Sequence, residues 1–319
     1  MPRAKNTKTN TAVSIKQNTV LDWENALRRF ILELRANGKA KRTIDDYEYH
    51  VNLFFKRHPQ AAQISNLQDK VFRYFSQTVR PATFNLRHKY LNGFFKWCVK
   101  EAGLPFNPLD KIRKRKAHWR EAYVENEDVV KLLKVIRKDT FAGLRDYALL
   151  LLSIDTGIRP GEALALLPTD FYLDSATIIV PPHAAKTGKQ RVLPLTAATA
   201  QAIVKLINAR HPDWKEHVPL FCTEDGGKMS VHHWYNRLRQ YSKKAGLKIY
   251  PYAMRHYFAT ESLTRECDIY SLAAVMGHET LEMIRNYLTI TTRKVRDWHA
   301  KASPVHSVLG EKRRLRKIH

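Results

Sequence analysis

The chain has 319 residues, enough for two domains, and its 44% hydrophobic and 10% aromatic content excludes an intrinsically disordered protein. Lysine and arginine together number 55 against 30 aspartates and glutamates, which gives a formal net charge of +25. Because so large a surplus repels itself in a folded chain, it predicts an anionic partner, with nucleic acid first and an anionic membrane second.

The first part of the chain predicts a basic arm and a small helical bundle. Residues 1–18 are basic and lack apolar periodicity, which predicts a flexible arm. Over residues 19–108, apolar side chains recur every three or four positions in four stretches, as is typical of helices that bury one face. We expect helices near Trp23, from a cap at Thr43, over about 65–79 and after Pro81. The predicted buried faces include Trp23, Leu27, Phe30, Ile31, Leu34, Ile44, Tyr47, Val51, Phe54, Phe55, Leu67, Val71, Phe72, Phe75, Phe84, Leu91, Phe94, Phe95, Cys98 and Val99.

Residues 109–120 form a basic connection to the next domain. Pro105 and Pro108 break the helical pattern before it, and few apolar residues lie among the basic residues that follow. The segment is either a solvated linker or a strap that lies on DNA phosphates, and the charge of the whole chain favours the strap. Its predicted DNA contacts are Lys111, Arg113, Lys114, Arg115 and Lys116.

The second domain is predicted over residues 121–300, with a basic C-terminal tail at 301–319. Helices are expected over 129–136 and, buried on most sides, over 145–154. Two β-branched runs, 177–180 and 191–195, flank a turn containing Gly188, which predicts a hairpin. The remaining segments are predicted to be mostly helical, so the predicted fold class is mainly α with a small β-sheet.

Membrane, secretory and metal classes are poorly supported. The longest apolar run, 147–152, is far shorter than the roughly 20 residues of a bilayer span, and no apolar stretch follows the basic N-terminus. Cys98, Cys222 and Cys267 are widely spaced without a CxxC pair, which predicts reduced thiols in the cytoplasm.

Three segments of the second domain contain polar residues beside apolar runs. In DTGIRPGEALAL, Glu162 follows Arg159 by three residues. A structural ion pair explains this spacing as well as an arginine that binds phosphate and is oriented by the glutamate. Lys186, in the hairpin turn, is by itself most simply a surface lysine. In PYAMRHYFAT, Arg255 is a second arginine among apolar neighbours, and a purely structural explanation becomes less satisfactory.

A fourth segment, VMGHETLEMIRNYLTI, places a tyrosine after a turn. Gly277 and His278 mark the turn, Thr280 is a candidate cap for the helix that follows, and Tyr287 comes nine residues after the histidine. A short helix spans that separation, so a turn can bring both side chains to one cleft.

Together these segments resemble the tyrosine recombinase family, which includes phage integrases and bacterial Xer-type resolvases. The resemblance covers about residues 20–295 and is strongest in TGIRPGE, KTGKQRVLPL, MRHYFAT and MGHETLEMIRNY, which follow the family's order. It implies an N-terminal helical, SAM-like core-binding domain and a mixed α/β catalytic domain.

The resemblance also implies a mechanism. Tyr287 would be the nucleophile that attacks a DNA phosphodiester, leaving a 3′-phosphotyrosyl strand and a free 5′-hydroxyl. Arg159 and Arg255 would hold the two non-bridging oxygens, for which a planar, always charged guanidinium is suited. Lys186 would protonate the departing oxygen and His278 would hydrogen-bond the phosphate.

Supporting roles are implied for three further residues. Glu162 would orient the first arginine, His256 would lie beside the second, and Arg191 would contact DNA. The third family motif usually reads His-x-x-Arg, but Tyr252 stands here in place of that histidine. A phenol donates a hydrogen bond to phosphate but does not accept protons at neutral pH as imidazole does, so its role is open.

The expected partner is double-stranded DNA at a specific recombination site, bound by a homotetramer on paired sites, with accessory DNA-bending proteins and no membrane. The expected location is the cytoplasm, at the nucleoid. The covalent bond conserves phosphodiester energy, so no metal and no other cofactor is expected, and no GxxxxGK[ST] loop is present. Alternatives are a DNA-binding protein that has lost the reaction, a type IB topoisomerase-like strand transferase or telomere resolvase, and a metal nuclease.

Overall fold

The structure, a computed structural model, describes residues 20–116 and 124–278 together with positions 280, 299, 303–305 and 308. The predicted arm, 1–18, therefore lies outside the described residues. The chain divides into two compact units, Met1–Arg120 and Glu121–His319. Within the described residues, every helix is too short or too polar to cross a lipid bilayer.

Four α-helices make up most of the described part of the first unit, and each buries an apolar face against the others. Val51, Phe54, Leu91 and Phe94 are fully buried in the shared core, where aromatic rings pack largely edge to face. The helices are α1 (Trp23–Ala36), α2 (Lys41–Arg57), α3 (Ile64–Ser76) and α4 (Pro81–Glu101). The predicted helical bundle is confirmed.

Some details of this bundle differ from the sequence prediction. The cap position of α2 is Ala40, so Thr43 lies inside the helix and does not cap it. Phe72 and Val99, predicted to be buried, are 44% and 40% exposed because the buried face of each helix is narrower than its run of apolar residues. Tyr74, which was not predicted for the core, is fully buried.

The segment 109–116, called the basic strap below, packs its backbone against the first unit. Asn85 on α4 holds it twice: the Arg115 amide donates to Asn85 Oδ1 at 2.9 Å, and Asn85 Nδ2 donates to the Arg115 carbonyl at 2.8 Å. His88 Nε2, 2.8 Å away, donates to the Ile112 carbonyl, which can only accept. Over these residues the backbone is bonded to the helical unit, while most of the side chains are exposed.

The second unit is built around one long buried helix. Its α-helices among the described residues are α5 (Asn126–Lys134), α6 (Phe141–Thr156), α7 (Pro160–Ala163), α8 (Ala197–Asn208), α9 (Val231–Lys244), α10 (Pro251–Thr264) and α11 (Ile269–Met276). Helix α6 packs against α8 and α10, and its apolar residues are buried around most of its circumference. This agrees with the buried helix predicted over 145–154.

A small antiparallel sheet completes the second unit. Its strands are β1 (Phe171–Tyr172), β2 (Thr177–Val180) and β3 (Arg191–Pro194), in the order β1-β2-β3. Val180 pairs with Arg191, which confirms the predicted hairpin, and Gly188 in its turn has a φ of +69°. Strand β1 was not predicted because two residues are too few to show an alternating pattern.

A buried charge network joins α6 to α9. Asp146 is fully buried and accepts from Arg145 Nε at 2.9 Å, Arg237 Nε at 2.6 Å and Tyr241 Oη at 2.9 Å. Because a buried charge destabilises a fold unless it is paired, these contacts make the α6–α9 packing specific.

Candidate active site

The turn after α6 places the first arginine of the site. Helix α6 ends at Gly157, whose φ of +61° favours glycine, and the Phe258 ring leaves no room for a Cβ there. The chain then enters α7 with Arg159 at the N-cap and Pro160 in the first turn. The TGIRPGE segment therefore encodes a helix stop and restart, and this turn directs Arg159 toward Glu162.

Glu162 is the carboxylate that organises the site, and its side chain is buried. Its Oε1 accepts from Arg159 Nη1 at 3.1 Å and from the Lys186 amide at 3.0 Å, and its Oε2 accepts from Arg191 Nη2 at 2.5 Å. Burial alone would raise the pKa of this carboxyl, but hydrogen bonds from Arg191 and the Lys186 amide, with the charges of Arg191 and Arg159, outweigh burial and lower the pKa. Glu162 therefore stays ionised and holds two guanidinium groups and the hairpin turn together.

The C-terminal end of α11 holds three arginines through its main chain. The last carbonyls of a helix have no partner within the helix and carry partial negative charge, so they favour cations. Three consecutive carbonyls each accept from a different guanidinium: Val275 from Arg191 Nε at 3.0 Å, Met276 from Arg255 Nη2 at 2.9 Å, and Gly277 from Arg159 Nη2 at 2.9 Å. Arginines from α10, β3 and the α6–α7 turn thus converge on one helix end.

His278 follows directly and is neutral. Arg255 Nη2 lies 2.7 Å from His278 Nε2, and because a guanidinium can only donate, Nε2 must be the unprotonated acceptor. Burial, and then the positive charges of Arg255, Arg159 and Arg191, lower the pKa of this imidazole to about 4. The imidazole therefore adds no further charge to the arginine cluster, and its Nδ1 is buried.

The other predicted catalytic residues differ in exposure. The Lys186 side chain is exposed, although its amide is bound in the site. Tyr252 is 51% exposed and lies on α10, one turn before Arg255, while His256 is half-buried on the same helix. Tyr287 and the helix predicted to carry it lie outside the described residues.

The predicted DNA contacts separate into two groups. The guanidinium of Arg115 packs over the Phe84 ring at 3.9 Å and donates to the Phe75 carbonyl at 3.2 Å, so much of its bonding is to its own unit. Arg191 is only 9% exposed and belongs to the arginine cluster. Arg115 is nevertheless exposed, as are the other strap cations, Lys111, Arg113, Lys114 and Lys116.

The charge of the cluster suits an anionic ligand. Three guanidinium groups bind the last turn of α11, while Glu162 supplies a single negative charge to two of them. Planar guanidiniums bind phosphate oxygens bidentately and stabilise charge that develops on phosphorus-bound oxygen. In the described part of the chain, no three His, Cys, Asp or Glu side chains group closely enough to hold a metal ion.

Residues 122–294, more than half of the chain, match the model of the phage integrase family. The chain belongs to the phage integrase family. This recombinase is 28% identical over 290 residues to tyrosine recombinase XerA of Pyrococcus horikoshii, with 89% of this chain and 95% of XerA covered. It is 28% identical over 229 residues to tyrosine recombinase XerC of Chlamydia muridarum, with 70% of this chain and 71% of XerC covered.

Its fold is similar to a solved structure of the Tn1549 transposon integrase in complex with circular intermediate DNA. The TM-score is 0.70 at 18% identity, and the match covers 87% of this chain and 99% of that one. The predicted family and fold are confirmed, and with them the activity class: the protein is a site-specific tyrosine recombinase, an enzyme that cleaves and religates DNA.

Sequence reasoning missed the groups that hold the recombinase's arginines in place. The carbonyls of Val275, Met276 and Gly277 belong to the main chain, which has the same acceptor at every residue, so no sequence signal marks them. One signal was available for Gly277: a glycine after an apolar helical run predicts a left-handed cap, and its φ is +63°.

Proposed function

We propose that this recombinase cleaves DNA through Tyr287. The phenolic oxygen forms a bond to the phosphorus of the scissile phosphodiester, the bond from phosphorus to the 5′-oxygen breaks, and the DNA 3′-end stays attached to the protein. The phenol gives its proton to solvent water, and the Lys186 ammonium donates one to the departing 5′-oxygen. Attack by a 5′-hydroxyl reverses these steps and rejoins the strand without ATP.

The convergence of the arginines on the end of α11 is the observation that supports this proposal best. Arg159 and Arg255 bind consecutive carbonyls of one turn, which places two guanidiniums side by side. In the proposed reaction they hold the two non-bridging oxygens and stabilise the charge that accumulates there. The same positive field favours the phenolate of a tyrosine, whose ordinary pKa of about 10 makes it a poor nucleophile near pH 7.

Two further residues complete the proposed phosphate site. His278 is the next member, because it follows the turn that carries the arginines; its Nε2 is bonded to Arg255 and its Nδ1 is buried, so the ring must shift when DNA binds before Nδ1 donates to the phosphate. Tyr252 donates from its hydroxyl in place of the family's usual histidine, which its exposed position on α10 allows. Glu162 and His256 support the arginines and do not contact DNA.

Loss of the covalent adduct in Tyr287→Phe tests the nucleophile directly. The substrate is a nicked suicide duplex built on the sequence that the full-length protein selects from a random pool. The wild-type protein should form an adduct that survives detergent, and Tyr287→Phe should bind the duplex equally well without forming one. Tyr270→Phe is the matched control, because Tyr270 is 67% exposed on α11, outside the arginine cluster.

An adduct of unchanged yield in Tyr287→Phe would move the nucleophile elsewhere, with Tyr252 and Tyr257 next to be tested. Binding without any adduct from the wild-type protein would favour a DNA-binding protein that has lost the reaction. Resistance of the adduct yield to EDTA is expected, because no step of the proposed reaction uses a metal.

We infer an assembly from the chemistry of strand exchange. Two duplexes contain four exchanging strands, and one tyrosine cleaves one strand, so a homotetramer on two paired recombination sites supplies the nucleophiles. In each copy, residues 19–108 and the basic segment 109–120 bind DNA, residues 121–300 carry the reaction, and the arm and the 301–319 tail are accessory. The site of action is the cytoplasm, at the nucleoid, with accessory DNA-bending proteins as further partners.

A further inference from the structure

Arg191 has contacts that the proposed mechanism does not use. It is the first residue of β3, and its guanidinium joins three segments: β3 itself, α7 through Glu162, and α11 through Val275. Its Nη1 is buried and has no hydrogen-bond partner among the described residues. A phosphate oxygen therefore cannot reach that nitrogen in this conformation, although the sequence predicted Arg191 as a DNA contact.

The same guanidinium lies beside Gly277, as does that of Arg159. A Cβ built on Gly277 would lie 3.2 Å from Arg191 Cζ and Nη1 and 3.3 Å from Arg159 Nη1. Both arginines also bind Glu162, one on each carboxylate oxygen. Moving Arg191 would therefore release one side of the carboxylate that orients Arg159 and binds the amide of Lys186.

We propose that Arg191 is a positioning residue for DNA cleavage. It acts through Glu162 and the end of α11. These contacts hold Arg159 and the Lys186 turn toward the scissile phosphate. The inference rests on the proposed function. Arg191 does not touch DNA itself. Its three-way contact needs the forked guanidinium, because Nε and Nη2 bind different segments at the same time and a single ammonium has no such geometry.

Single-turnover cleavage of the selected suicide duplex tests this assignment. Arg191→Gln and Arg191→Lys should each slow adduct formation by about 10²-fold, since a displacement of about 1 Å in a catalytic group has effects of this size. The salt dependence of binding to the intact duplex should keep its wild-type slope in both variants. Arg137→Gln, which removes an equally charged but 79% exposed side chain of the same unit, is the matched control and should cleave normally.

A double variant identifies the route of action. If Arg191 acts through Glu162, then Arg191→Gln combined with Glu162→Gln should cleave about as slowly as Glu162→Gln alone, because the two effects share one path. A residue with only a structural role would lower the thermal midpoint without slowing cleavage by the folded protein. Multiplicative rates would mean that Arg191 does not act through Glu162. If Arg191→Gln fails to fold by its thermal midpoint, Arg191→Lys, which keeps the buried charge, is used in the cycle instead.

The outcomes separate this inference from the proposed function. A salt slope shallower by about 0.9 in Arg191→Gln would identify a direct phosphate contact and overturn the positioning role. Normal cleavage by both variants, or multiplicative effects in the cycle, would also overturn it while leaving the cleavage chemistry intact. Absence of an adduct from the wild-type protein would overturn the proposed function first.

Discussion

Among single residues, Tyr252 stands where the family's third motif usually has histidine, and its 51% exposure separates two explanations of that position. An aromatic core residue would be buried, whereas a donor to DNA must be accessible. Tyr252→Phe should slow cleavage by about ten-fold, which corresponds to loss of one hydrogen bond to a charged group, about 1.5 kcal/mol. Tyr252→His should cleave at least as fast as the wild type.

Cleavage rates and thermal midpoints of both Tyr252 variants are the measurements. Neither variant should melt at a lower temperature, because substitutions at exposed positions rarely change stability by more than about 0.5 kcal/mol. A Phe variant with the wild-type rate, together with a destabilised His variant, would end the catalytic interpretation of Tyr252.

His278 should titrate near pH 4 in the DNA-free protein. Its folded pKa lies below the ordinary value of about 6.5, so the unfolded state binds more protons between these limits. The stability that this histidine contributes is therefore complete above about pH 6.5 and is lost as the pH falls toward 4. Histidine NMR, with His278→Gln used to assign the resonance, should show no titration of this ring between pH 6 and 7.

Urea unfolding gives a second measurement of the same effect. Between pH 7 and pH 5 the wild-type protein should lose more stability than His278→Gln does. His50 and His58 in the first unit also have lowered pKa values, chiefly from burial, and they remain in both proteins, so the difference isolates His278. A ring that titrates at pH 6–7 would contradict the neutral, arginine-bonded imidazole.

Among the structural elements, the backbone contacts of the basic strap lead to a testable prediction. Asn85→Ala removes both hydrogen bonds to Arg115 but no charge, so the strap should be less ordered before DNA binds. Two bonds of about 1 kcal/mol each correspond to a loss of affinity of up to about 30-fold, with the salt slope unchanged. Fluorescence anisotropy with the selected duplex measures both quantities.

Asn52→Ala is the control for this element, since the Asn52 side chain bonds only to the Glu48 carbonyl of its own helix in the contacts that the structure describes. Equal affinities of Asn85→Ala and the wild type would show that DNA itself orders the strap.

For the molecule as a whole, the charge of +25 predicts steeply salt-dependent binding. The log–log slope should be about −0.9 for each phosphate that the protein neutralises. Arg115 packs on Phe84 and is left unchanged. Replacing the other exposed strap cations with glutamine should make the slope shallower by about 0.9 for each phosphate that is no longer neutralised; they are Lys111, Arg113, Lys114 and Lys116.

Lys41→Gln with Arg137→Gln is the control for this experiment. Both side chains are exposed and each pairs with a nearby aspartate, so they are not expected to bind DNA. A slope that shifts equally per charge in the strap and control variants would mean that only net charge matters, and the strap would have no special role.

Amino-acid order was enough to predict the helices, the hairpin and the family. Apolar periodicity, helix-breaking prolines and glycines that need a positive φ are local properties, so they can be recognised without knowing which segments meet. The errors were local too: Thr43 does not cap α2, because the helix begins at Lys41, and Phe72 lies beyond the edge of the buried face.

Tertiary structure alone decided which groups meet in the site and in which charge state. Arg115 and Arg191 are both basic residues in the sequence, yet one packs on Phe84 and the other is buried against Glu162. The neutral state of His278 likewise comes from burial and from arginines distant along the chain. Burial and electrostatic fields depend on distances in space, and main-chain acceptors are alike in every residue. The convergence of three arginines on the end of α11 is therefore visible only in the folded chain.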